Sequence, residues 1–485
     1  MKKIVKKFLT NLYFGKGMMF KMNLKIKDIL KATNGILLSG DLEYECENFS
    51  KDTRKIKKGD TYLAIKGESF DGNLFWKDAL NNGADTVIIE KDIGEEDLKK
   101  YKNKNIIKVE DTKKALIQIA TAKRNLYKDL IVVGVTGSVG KTSTKDIIAN
   151  VLSQKYNTLK TEGNMNNAIG LPFTILNLRN HEALVIEMGM NHFGEIRELT
   201  NIAKPTLAVI TNIGTSHIGN LGSRENILNA KLEILEGMEK KKVIINNDND
   251  LLHKWKNDNN NMEIYTFGIE NKSDCNALKI TKKENSSEFI CKINEEKFNI
   301  KVPVGGEVFI LNALCASLVG KLLNLSNNEI QEGIESFELT KKRMEIIKLK
   351  NGVTLINDSY NASFDSMKAG IEYLCEITGK RKIAVLGDMF ELGIFSEELH
   401  RKVGAEVAKN NIDILFAIGE NSKYIVDETE KDGMNKEKIF YLQDKKELLE
   451  KIIQNMQSGD VIFFKASNGM RLFEIVDQLR TEFFN

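Results

Sequence analysis

Residues 132–150 read VVGVTGSVGKTSTKDIIAN, and the architecture of the chain follows from this segment. A β-branched run (Ile131, Val132, Val133, Val135) leads into glycines and then a helix-like pattern, which is the strand, loop, helix order of a phosphate cradle. Gly137 and Gly140 have no side chains, so successive backbone N–H groups are free to point at an anion at a helix N-terminus. Lys141 adds a cation and Thr142 a hydroxyl suited to Mg²⁺. Against the G-x-x-x-x-G-K-[ST] pattern the first glycine falls on Val135, one residue after Gly134, which leaves a shorter G-x-x-G-K-T core. An ordinary strand-turn-helix is the alternative for any GKT. The strand before it and the helix after it favour nucleotide binding, with ATP or a relative as ligand.

From this cradle the pattern continues as alternating units. Strands are expected at Leu130 to Val135, Ala183 to Met188 and Leu207 to Ile213, with helices at Lys141 to Gln154, Gly194 to Ala203 and Ser223 to Met238. Such alternation predicts a parallel sheet covered by helices, with ligands gathered at the carboxyl ends of its strands. Glu187 closes one strand as a hard oxygen ligand suited to Mg²⁺, His217 follows the next, and Lys231 lies on the helix after it. Alone, His217 reads as a capped loop histidine, and Asn164, Asn166 and Asn167 read as a polar turn. Asp52, Thr53 and Arg54, in FSKDTRKIKKGD, read by chemistry alone as a surface turn.

The remaining segments set the domain plan. From Leu24 the pattern is α/β, with helices over 24–35 and Leu74 to Asn82 and a linking helix from Asp111 to Tyr127. Residues Asn271 to Gly306 read as β-hairpins appended to the central domain, with turns at Asn285-Ser286-Ser287 and Asn294-Glu295-Glu296. After Thr340 a second α/β pattern begins, with strands at Val353 to Ile356, Lys382 to Leu386, Ile414 to Ile418 and Val461 to Phe464. The expected fold is α/β in three domains: a central P-loop-type parallel sheet domain (129–339), a smaller N-terminal α/β domain (24–128) and a C-terminal Rossmann-like α/β domain (340–485). Residues 1–23 are expected to be a poorly ordered extension. Met22 is a candidate start, and no signal peptide is expected, because Asn11 and Lys16 interrupt the apolar part of Met1 to Lys21.

Composition agrees with this plan. A chain of 485 residues is too long for one core and suits about three domains. A formal charge of +3 is close to balance, so neither nucleic acid nor membrane is expected as a main partner. Cys46, Cys275, Cys291, Cys315 and Cys375 are scattered, with no C-x-x-C spacing, which argues against a zinc site or a disulfide framework and for a reducing cytosol. No run approaches the ~18 apolar residues needed to span a membrane.

Several blocks taken together resemble the Mur ligases, the ATP-dependent amide-bond-forming enzymes of peptidoglycan precursor synthesis. TGSVGKTS looks like their phosphate loop, and EMGMNHFGEI, NIGTSHIGNLGS and AKLEI follow in the family's order. INDSYNASFDSMKAG, VLGDMFELGIFSEELHRKVG and FFKASNGMRLFE are similar to the C-terminal blocks of the branch that joins D-alanyl-D-alanine to UDP-N-acetylmuramoyl-tripeptide. The branch that adds a diamino acid carries D-N-P-R, and Pro172, Pro205 and Pro303 are the only prolines here, none in that context. A folylpolyglutamate synthase leaves these C-terminal blocks unexplained. A silent nucleotide-binding scaffold has no need of Lys141, Glu187, His217 and Lys231 together.

The resemblance implies a role for each matching residue. Gly137, Ser138, Val139, Gly140, Lys141, Thr142 and Ser143 would hold ATP, with Asn312 as an adenine contact and Arg343 and Asp358 closing from the C-terminal domain. Thr142 and Glu187 would bind one Mg²⁺. His217 would bind a second, bridged by Lys231 once CO₂ has made that lysine a carbamate. Lys141, Lys231, His217 and Arg343 form the implied catalytic set, and Asp52, Thr53, Arg54, Asn166, Tyr360 and Asn361 the implied substrate contacts. The chain departs from the family pattern at Asn73, Val308-Phe309, Phe364 and Asn468. A monomer is expected.

Overall fold

The computed structural model describes residues 22–67, 70–259 and 262–484. The extension expected over 1–23 lies outside the described residues except for Met22 and Asn23. The chain divides into two compact units, one running to Leu130 and including Pro172–Glu182, the other holding Ile131–Leu171 and Ala183 onward.

The first unit is built on a five-stranded sheet in the order Ile36–Ser39, Asn105–Lys108, Thr86–Ile89, Thr61–Leu63 and Phe49–Ser50. The first pair is antiparallel and the rest parallel. Helix Ile26–Thr33 ends at Asn34, whose left-handed conformation stops it, and Thr112–Leu126 starts where the Asp111 carboxylate accepts from Lys113 N and Lys114 N.

The second unit contains two sheets. The larger has nine strands, in the order Glu296–Val302, Ser286–Ile293, Cys275–Lys283, Glu263–Gly268, Lys242–Asn246, Leu207–Ile210, Ile131–Thr136, Ala183–Glu187 and Thr158–Lys160. All but the hairpin edge run parallel. Strands such as IVVGVT, ALVIE and LAVI are apolar almost throughout because both faces are covered, one of them by helices Lys141–Ser153 and Glu307–Leu322. The hairpins expected over 271–306 are therefore continuous with the central sheet.

The smaller sheet runs Glu345–Lys348, Thr354–Asn357, Asp460–Lys465, Arg381–Gly387, Ile414–Ile418 and Ile439–Leu442, parallel except for its first pair. Two of these strands, Glu345–Lys348 and Ile439–Leu442, are not expected from the sequence; both are four-residue edge strands and only partly buried, and although Ile439–Leu442 is an apolar run, charged residues flank it closely on both sides. The helix expected over Ser223 to Met238 is shorter, Arg224–Leu232 followed by one tighter turn, Glu233–Leu235.

Candidate active site

The strand Ile131–Thr136 ends in a loop whose two glycines are required by its path. Gly137 and Gly140 have φ of +149° and +83°, and a Cβ on Gly137 would lie 1.9 Å from Thr211 Oγ1. The loop is held from the neighbouring strand end, where Asn212 Oδ1 accepts from Ser138 N and Val139 N at 3.0 and 2.8 Å. These two amides are thus occupied within the protein. The donors left for an anion are the amides of the first turn of helix Lys141–Ser153, which have no intrahelical partner. Asn212 escaped the sequence reading because its partners lie more than 70 residues away.

Lys141 folds back over the loop, donating from Nζ to Gly137 O at 2.9 Å and Ser138 O at 3.4 Å. Burial pushes its ammonium below the ordinary lysine value; Glu187 opposes the shift and Arg343 adds to it. Glu187, at the carboxyl end of Ala183–Glu187, is fully buried, and its two oxygens are separately engaged. Oε2 accepts from the Thr142 hydroxyl and Oε1 from the Asn166 amide, each at 2.8 Å.

Lys231 sits on helix Arg224–Leu232 and is 2% exposed. Burial drives its ammonium well below the ordinary value and the charge of Lys141 pushes the same way, while among the described residues it makes no hydrogen bond or ion pair. His217 has a left-handed backbone and pairs through Nδ1 with the Glu391 carboxylate. That pairing is reinforced by Gly219 N donating to Glu391 O at 3.0 Å, and by Thr215 N and Oγ1 donating to Asp365 Oδ2 at 2.7 and 2.9 Å.

The opposite wall comes from the smaller sheet. The Arg343 guanidinium lies 4.0 Å from the centre of the Tyr360 ring. Asp358 follows strand Thr354–Asn357, accepts from Met344 N at 3.2 Å and forms an ion pair with Lys465, the last residue of strand Asp460–Lys465. Lys465 is 2% exposed and also donates to Asn361 O at 3.0 Å. An isolated lysine at a strand end carries no sequence signal for this role; only the parallel pairing of these strands brings Asp358 and Lys465 together.

These walls enclose a cavity of about 740 Å³. Ser138 through Ser143, Asn166, Glu187, His217, Arg343, Asp358, Tyr360, Asn361 and Lys465 line it, whereas Gly137, Lys231 and Asn312 do not. Asn312 Oδ1 accepts from Thr144 Oγ1 at 2.9 Å, and its buried Nδ2 has no hydrogen-bond partner. Among the described residues no three His, Cys, Asp or Glu side chains cluster as a metal site. No helix among them is long and apolar enough to cross a membrane.

Asp52, Thr53 and Arg54 belong to the first unit, where they form a turn. The Asp52 carboxylate accepts from Arg54 N, Nε and Nη2 at 3.1, 2.8 and 2.8 Å, which holds its pKa at about 2. The family departures have local explanations. Asn73 is buried, donating to Asp71 Oδ1 at 2.9 Å and accepting from Glu90 N at 2.8 Å. Phe364 is the first residue of helix Phe364–Glu376, where proline is tolerated but not required. Phe309 is buried against Phe337, and Asn468 is exposed.

Comparison with known proteins gives a consistent picture. Three family models match: the Mur ligase catalytic domain over residues 47–124, the Mur ligase middle domain over 135–320, and the Mur ligase glutamate ligase domain over 342–468. A UDP-N-acetylmuramoyl-tripeptide–D-alanyl-D-alanine ligase of Bacillus subtilis is 37% identical over 458 residues, covering 94% of this chain and 98% of the relative. A crystal structure of MurF from Acinetobacter baumannii superposes with a TM-score of 0.84 at 29% identity, over 95% of this chain and 99% of that one. MurF from Thermotoga maritima in complex with ADP gives 0.77 at 29% identity, over 90% and 97%.

Proposed function

The chain belongs to the Mur ligase family, and from that premise we propose that it joins D-alanyl-D-alanine to UDP-N-acetylmuramoyl-tripeptide, converting ATP to ADP and phosphate. The observation that carries this reading is the cavity in which a phosphate loop faces Arg343, Asp358 and Tyr360 across about 740 Å³. The likeness to an ADP-bound MurF supports a nucleotide as its occupant. The domains are read as 24–128 for the UDP end of the substrate, 129–339 for ATP, and 340–485 for closure and D-alanyl-D-alanine.

A carboxylate is a poor electrophile because its charge is delocalised and its leaving group would be oxide. In the proposed reaction the tripeptide carboxylate attacks the γ-phosphorus of ATP, giving an acyl phosphate and ADP. The D-alanyl-D-alanine amine then attacks the carbonyl carbon, and phosphate leaves. Bringing one anion onto another requires fixed positive charge, which Lys141, the amides of the first helical turn and Arg343 supply. Asn166, Tyr360 and Asn361 line the same cavity as substrate contacts, and Asp52, Thr53 and Arg54 take the UDP end.

The donor set at Glu187 fits Mg²⁺, being a buried carboxylate beside a threonine hydroxyl. Thr142 and Glu187 would hold one ion, and His217 with Lys231 a second. An ion held by these residues would supply positive charge to offset that of the phosphate groups. Lys231 fits addition of CO₂. A buried amine with no acceptor and a neighbouring cation favours its neutral, nucleophilic form, and the carbamate would add an anion to those of Glu187 and Asp358. Asn312 is assigned to adenine on the same terms, its free Nδ2 being a donor awaiting an acceptor.

A monomer working in the cytoplasm on nucleotide-linked precursors completes the proposal. The test is mass spectrometry of the product formed from ATP, D-alanyl-D-alanine and each of two tripeptides, with lysine or meso-diaminopimelate third. UDP-MurNAc-pentapeptide from either supports the reading and identifies the third residue; its absence from both refutes it.

A further inference from the structure

Arg343 lies in a short connector, Thr340 to Met344, that precedes strand Glu345–Lys348. The residues on either side of it, Lys342 and Met344, have φ of 64° and 53°, the left-handed region that side-chain-bearing residues avoid. Neither is a glycine, asparagine or aspartate, so local preference does not account for either. Both are held by their backbones: Lys342 N donates to the Glu345 carboxylate at 3.2 Å, Tyr360 N to Lys342 O at 3.2 Å, and Met344 N to the Asp358 carboxylate at 3.2 Å.

The connector is also tied to the helix that follows the phosphate loop, through Thr340 Oγ1 donating to Asp146 Oδ2 at 3.1 Å. Two successive reversals of φ send neighbouring side chains apart. The Lys342 ammonium goes to the Phe473 ring, 3.2 Å from its centre, and the Arg343 guanidinium goes to Tyr360 in the cavity, where its charge is felt by Lys141.

We propose that the left-handed backbone at Lys342 and Met344 is what delivers Arg343 to the nucleotide cavity, making these two residues positioning residues for the ligation. The inference rests on the proposed function, since it assigns Arg343 to ATP. Asp358 thereby gains a second role, because besides lining the cavity it fixes the Met344 amide, with Lys465 fixing Asp358 in turn.

The test is a series at Lys342, to Gly, Asn, Ala and Val. All four delete the contact with Phe473 equally and differ chiefly in tolerance of positive φ. The expected order of kcat/KM for ATP is Gly, Asn, Ala, Val, with about tenfold or more between the first and last. In an Arg343→Ala background the spread should collapse to about twofold, because the backbone acts through that side chain. A flat series, or a spread that persists without Arg343, overturns the inference. Should the Val protein not fold, the Gly, Asn and Ala members decide it by the same order. Calorimetric binding of ATP to the wild-type protein separates the two levels. No binding overturns both this inference and the proposed function, and binding with a flat series overturns this inference alone.

Discussion

The two walls of the cavity are made in opposite ways. One is a continuous hexapeptide, Ser138 to Ser143, shaped by Gly140, by Gly137 just before it and by the helix it opens. The other is assembled from Arg343, Asp358, Tyr360 and Lys465, which a parallel sheet and a left-handed connector bring together from across more than 120 residues. A wall made locally should lose chemistry when mutated and keep its fold. An assembled wall should lose both, because each functional group is also a support.

The largest effect is expected at Lys231, which is buried and belongs to neither wall. Lys231→Ala should lower ligation by about 10³-fold or more, with partial rescue by a short carboxylic acid. Full activity in the unrescued variant would remove the carbamate from the account; ¹³C NMR with labelled bicarbonate reads the modification directly. Lys141→Met, on the local wall, should cost about 10³-fold in kcat/KM with little change in melting temperature, since the ammonium lines the cavity and supports the fold only through its two contacts with loop carbonyls.

On the assembled wall, Lys465→Met should reduce both activity and stability. It strips a nearly buried carboxylate, Asp358, of its ion pair, at a cost of about 3–5 kcal/mol in denaturant unfolding. A variant as stable as wild type would erase the distinction between the walls. Asn212→Ala sharpens it from the other side. The Val139 amide loses its acceptor while Ser138 N keeps the backbone carbonyl of residue 212, which should raise KM for ATP about tenfold and destabilise by about 1–3 kcal/mol.

The smallest effect concerns His400, fully buried on helix Ser396–Lys409. Its Nε2 accepts from Met389 N at 3.0 Å and its Nδ1 donates to Ser396 O at 2.7 Å, which requires the neutral ring. Burial pushes its pKa below 6.5, partly offset by Ser396 and Asp388. The unfolded chain therefore binds the proton first as pH falls, and stability drops from about pH 6.5 through the lower folded pKa. His400→Gln should flatten that part of the melting-temperature profile between pH 7 and 5; an unchanged slope would assign it to other groups.

The same division explains what the sequence revealed. The strand before the loop, the helix after it and the acid at the end of Ala183–Glu187 rest on apolar periodicity and glycine, which are local signals. Lys465 and Asn212 carry no such signal, since an isolated lysine or asparagine acquires meaning only from the strand beside it. The turn at Asp52 to Arg54 is satisfied within itself, so chemistry alone reads it as a turn and only family resemblance gives it a substrate.

The most direct measurement is phosphate release from ATP with UDP-MurNAc-tripeptide and D-alanyl-D-alanine present together, each alone, and neither. Steady turnover is expected only when both are present. Turnover with neither would make the protein a plain ATPase, and none under any condition, with ATP still bound, would make the cavity a binding site without the ligation.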